Sequence, residues 1–93
     1  MPRYLIERVY GTAVEEDMQR IGARSKQVAF ERFPEITWEH SHVVGDDSGF
    51  KSFCVYEAPD EDRLRRHGEQ VGEHTITHVY EIAGDVTPAD FPG

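Results

Sequence analysis

The residues best equipped for chemistry lie between Trp38 and Glu57, in the run WEHSHVVGDDSGFKSFCVYE. Two strand-like segments flank a polar turn and carry His40, His42 and the chain's only cysteine, Cys54. Side chains two apart on a strand share a face, so His40 and His42 project together. Paired imidazoles on a rigid sheet are donors for Zn, Cu, Fe or Ni, and a thiolate shifts the preference towards softer ions. The spacing argues against a structural zinc finger, because no C-x-x-C pair is present.

The elements that must position these groups follow from periodicity and punctuation. Tyr4 to Tyr10 reads as a strand closed by Gly11. Thr12 followed by Glu15 fits a capping box, and Val14, Met18, Ile21, Ser25 and Val28 then keep helical spacing up to Pro34. Ile36 to Val44 and Lys51 to Glu57 form an antiparallel hairpin around GDDSG. Pro59 and Asp60 open a second helix that ends near Gly72, with Leu64, His67 or Gly68, and Val71 on one side. His74 to Ile82 is the last strand, followed by the irregular tail DVTPADFPG.

The order βαββαβ predicts an α+β, ferredoxin-like domain over residues 1–84, with residues 85–93 as an irregular C-terminal tail. Two crossover helices then cover one face of a four-stranded antiparallel sheet and leave the other face open. A homodimer through the open face would cover it and duplicate any site on it. Pairing Val44 with Lys51 sets His42 opposite Phe53, His40 opposite Val55 and Trp38 opposite Glu57. That register puts Trp38, His40 and His42 on one face, and Ser41, Cys54 and Tyr56 on the other.

Composition narrows the partners. Ninety-three residues make one domain, and a net charge of −8 disfavours both a nucleic-acid backbone and an anionic membrane surface. Arg63, Arg65 and Arg66 follow Asp60, Glu61 and Asp62 on the second helix, acid before base, which is helix-dipole complementarity and not an anion site. One cysteine makes no internal disulfide, and the opening MPRYLIERVYG has no signal-peptide or membrane-span character. A cytoplasmic location is expected.

Several strings together resemble the small actinobacterial nickel-binding proteins of the DUF4242 group. They are the opening Tyr4-Leu-Ile-Glu7-Arg8, the strand Trp38-Glu-His40-Ser41-His-Val43, the segment CVYEAPDE from Cys54, and Arg66-His67-Gly68. The likeness runs from Met1 to about Ile82. It implies a ferredoxin-like homodimer that binds nickel or another divalent transition metal, acting in buffering or storage more than in catalysis. His40, Ser41, Cys54, Tyr56 and His67 stand where the family pattern repeats them. The turn here is longer, and His42 replaces an expected tyrosine. The candidate metal ligands are therefore His40, His42, Cys54 and His67.

Each candidate also has a structural reading. His67 can neutralise the C-terminal end of its helix, and Cys54 can pack as a small hydrophobe. His74 and His78, on alternate positions of the last strand, can face the first pair across the sheet or a dimer axis, while Glu7, Glu57 and Glu81 can orient imidazoles. A dimeric α+β-barrel enzyme of monooxygenase or isomerase type is the alternative, with His40 or His67 as base and Tyr56 or Ser41 as donor. No serine-nucleophile motif, phosphate loop or dinucleotide fingerprint supports it. A ligand-free interaction module is the third reading.

Overall fold

A computed structural model describes residues 1–93. Strand β1, Arg3–Val9, alternates strictly: Tyr4, Ile6 and Arg8 are buried, and the residues between them face the other way. Helix α1, Glu15–Arg32, buries Ile21, Ser25, Val28 and Ala29, a stripe at helical spacing. Its cap differs from the Thr12 and Glu15 box. Ala13 donates to the Tyr10 carbonyl in a turn, so the helix starts later, and the Asp17 carboxylate reaches back to the Val14 amide at 2.9 Å. Proline at position 34 disfavours helical backbone at Phe33, which is the C-cap, so the helix ends at Arg32.

Strands β2, Thr37–Asp46, and β3, Gly49–Glu57, form a longer hairpin than the composition of the turn predicts. Asp46 pairs with Gly49, and the Asp46 carboxylate accepts from the Ser48 amide, which closes the turn in two residues. Gly49 has φ 114°, and a Cβ there would lie 2.2 Å from the Gly11 carbonyl oxygen, so only glycine lets the hairpin tip dock against the end of β1. Helix α2, Glu61–Val71, begins at Asp60, whose side chain accepts from the Arg63 amide, and ends at Gly72 with φ 72°. Strand β4, Thr75–Glu81, and a 3-10 turn at Pro88–Asp90 complete the chain.

The strand order is β2-β3-β1-β4 with all neighbours antiparallel, as the βαββαβ pattern predicts. One cluster joins Ile6, Cys54 and Tyr56 of the sheet to Ile21 and Val28 of α1 and Leu64 and Val71 of α2, so both helices lie on the same face. Neither helix packs on the other face, which the C-terminal tail reaches at Arg3, the partner of Asp85 in an ion pair.

Two bulges reset the strand faces. The expected pairs His42 with Phe53, His40 with Val55 and Val44 with Lys51 are all present. Between Trp38 and His40 the register slips, so Trp38 pairs with Tyr56, and Thr37, not Trp38, is opposite Glu57. Trp38 therefore leaves the histidine face, stacks on Tyr56 at 6.2 Å between ring centroids, and donates its indole N–H to Ser41. A second slip, between Glu7 and Arg8, sends Ile76 to the helix side opposite Arg8 and His78 to the open side opposite Glu7.

Candidate metal centre

The open face gathers two pairs of potential donors on opposite edges. On β2, His40 and His42 are exposed and their rings meet edge to face at 5.4 Å. The cross-sheet row then runs His42, Phe53, Glu7, His78 from one edge to the other. At the far edge the His78 Nδ1–H donates to Glu7 Oε2 at 2.7 Å, and Lys51 approaches the other carboxylate oxygen at 3.5 Å. The hydrogen bond from His78 leads the effects that hold the Glu7 carboxyl below its ordinary range. Glu7 thus orients an imidazole, as the sequence allowed, and leaves the His78 Nε2 lone pair for an electrophile.

Cys54 and His67 lie on the opposite side of the sheet. The alternation that joins His40 to His42 also turns Cys54, paired with Ser41, towards the helices, where its sulfur lies 3.3 Å from the Ser52 hydroxyl. His67 is fully buried. Its Nε2–H donates to the Ser25 carbonyl of α1 at 2.9 Å, and its ring packs against Phe33 and Tyr56. Burial pushes its pKa down, which keeps the imidazole neutral and removes the helix-dipole role the sequence offered it. The four candidates therefore form two groups separated by the sheet. Within one chain, no three His, Cys, Asp or Glu side chains close round a common point.

His74 is also on the helix side and precedes β4, so it does not join His78. Its Nδ1–H donates to the Gly72 carbonyl at 2.7 Å, its ring lies 5.7 Å from Tyr10, and burial lowers its pKa as well. The residue that sequence reasoning missed is Arg8. It is 3% exposed, and its guanidinium carbon lies 5.4 Å from the centre of the Tyr56 ring. Such a cation–π contact supplies about 0.5 to 2 kcal/mol, less than the several kcal/mol that burying an unpaired ion costs. Extending the alternation of Tyr4 and Ile6 by two residues would have placed Arg8 in the interior.

The sequence matches the model of a family described as "Nickel responsive protein SCO4226-like" over residues 4–82, which is most of the chain. The chain belongs to the SCO4226-like family. Among solved structures, it is similar to the crystal structure of SCO4226 from Streptomyces coelicolor A3(2), with TM-score 0.68 and 14% identity. That alignment covers 90% of this chain and 99% of the other. The C-terminal domain of the MgtC protein from Mycobacterium tuberculosis shares the fold more distantly, with TM-score 0.56 and 15% identity over 90% of this chain and 88% of that domain. No curated protein matches the sequence. At these identities the structural likenesses speak for the fold, while the family match carries the connection to nickel. No helix of this SCO4226-like chain is long and apolar enough to cross a membrane.

Proposed function

We propose that the chain binds a divalent transition metal, nickel by its family's description, between the open sheet faces of two copies, and that it buffers or stores the ion. The observation that supports this reading is the placement of His40 and His42 at one edge of an uncovered face and of His78, oriented by Glu7, at the other. A single chain offers donor pairs only, which is too few for a closed site. A twofold axis parallel to the strands, lying between two stacked sheets, sets the β2 edge of one copy over the β4 edge of the other. His40 and His42 are then joined by His78 of the partner subunit, and imidazoles suit nickel among other ions. Cys54 and His67, on the covered side, are outside this set.

The test is metal analysis and nickel titration of protein carrying no polyhistidine tag, with sedimentation run before and after chelation. The reading expects an integral number of ions per dimer and weakened binding in both His40→Ala and His78→Ala. It also expects looser self-association without metal. Affinity no better than about micromolar, or unchanged binding in the His40→Ala and His78→Ala variants, overturns it.

A further inference from the structure

The family match ends at residue 82, so the tail of this chain lies beyond the shared domain. That tail shows apolar side chains to solvent, with Val86 and Phe91 73% and 65% exposed. It is shaped all the same. The Asp85 carboxylate holds it to Arg3, and Asp90 Oδ2 accepts from the Thr87 amide at 2.7 Å, which caps the 3-10 turn Pro88–Asp90 and leaves Oδ1 free. A second apolar surface stands at the start of β2. Ala29, Phe30, Pro34, Ile36 and Trp38 line a groove of about 450 Å³, and Phe30 is 84% exposed beside it. No residue of the tail lines that groove, so the chain does not cover it with its own arm.

In the facing-sheet dimer, on which this inference rests, the two surfaces meet. Ile82, next after β4, donates its amide to the Arg3 carbonyl, and Arg3 is level with Glu57 and Thr37 across the sheet. The tail therefore leaves the sheet at the end where β2 begins. A twofold axis parallel to the strands keeps the two copies level and sets β4 of one over β2 of the other, so the tail emerges beside the second copy's groove. Phe91 follows Asp85 by six residues, a reach of about 15 Å with the 3-10 turn kept, against about 10 Å between stacked sheets. Charge agrees. The one charged residue of the groove is Lys26, which enters no ion pair, whereas residues 85–93 carry Asp85 and Asp90 and no cation. We propose that the tail is an exchanged arm, whose Phe91 fills the Phe30–Trp38 groove of a second copy and sets Asp90 beside the Lys26 there.

The experiment mixes equal amounts of unlabelled and heavy-nitrogen-labelled full chain, adds nickel chloride, and treats the protein with a carbodiimide, which joins amines to carboxylates in contact. Mass spectrometry should find Lys26 of one label joined to Asp90 of the other. Phe91 is exposed within one copy, so Phe91→Ala keeps the fold. In sedimentation with nickel that variant should weaken the dimer about tenfold or more. Trp38, the chain's only tryptophan, should also become more open to acrylamide quenching in the Phe91→Ala dimer. Lys26 links that are absent, or confined to chains of one label, overturn the exchanged arm, as does a Phe91→Ala dimer as tight as the unaltered one. Neither result touches the metal reading. That reading fails separately, and the arm with it, if the unaltered protein stays monomeric both with and without nickel.

Discussion

The two faces of this sheet treat the same residue type in opposite ways. On the open face His40 and His42 stand in solvent, and His78 is tied to a carboxylate. On the covered face His67 and His74 are tied to backbone carbonyls, kept neutral by burial, and near a buried cation instead of an anion. The His78 ring, with its Nδ1–H held by a carboxylate, turns its other nitrogen outward, whereas burial, with Arg8 nearby, disfavours charge on His67 and His74. The difference teaches that histidine count says little about metal binding until the charge facing each ring is known.

The largest expected effect that sharpens this contrast is on stability. Ile6, fully buried on the helix side, should cost about 2 to 5 kcal/mol as Ile6→Ala in denaturant unfolding. Leu5→Ala, its neighbour on the open face, should cost clearly less in dilute protein and more as concentration rises, if two copies meet there. Equal and concentration-independent losses would break the comparison.

Acidification probes the covered face. His67 and His74 are pushed below their ordinary value of 6.5, so below that pH the unfolded chain takes up protons that the folded chain refuses. Stability from these groups is complete above about pH 6.5 and is lost as pH falls towards the lower folded values, by at most about 1.4 kcal/mol per pH unit for each histidine. In His67→Gln the slope of unfolding free energy against pH should fall by about one proton. An unchanged slope would show that His67 titrates alike in both states.

On the open face, His40→Ala should weaken nickel binding by about tenfold or more, or roughly 1.4 kcal/mol, in calorimetric titration. His67→Gln should leave it unaltered. The smallest effect concerns the scaffold that holds α2 over the covered face. Asp60→Ala removes the carboxylate that accepts from the Arg63 amide and should cost about 1 kcal/mol in thermal unfolding, with no change in metal affinity.

Much of the frame was legible in the sequence because each element announced itself locally. Val28 and Pro34 bracket the end of α1, Asp60 and Gly72 bracket α2, and the pairing of His42 with Phe53 follows from alternation alone. The misreadings came where one residue changes phase without changing composition. Nothing in Trp-Glu-His marks a bulge, and an amphipathic tryptophan suits either face, so alternation alone sets Trp38 beside the histidines it turns away from. His74 and His78 looked alike until the slip near Thr77 divided them. The Thr12 box lost to a turn that Gly11 permits, with φ 60°. That His78 and Glu7 share a face with His40 needs the strand order, which is a property of the assembled sheet and not of any segment.

The slip at Glu39 acts on β2 like a frameshift. Deleting that one position would force a choice: the tryptophan keeps its berth on Tyr56 and both imidazoles turn inward, or the imidazoles keep their outlook and the indole swings out into water. Glu39 itself is tethered to Arg3, so the extra residue is anchored where it stands. Length variation in this strand is therefore tolerated at the hairpin tip in steps of two, and hardly at all near its beginning.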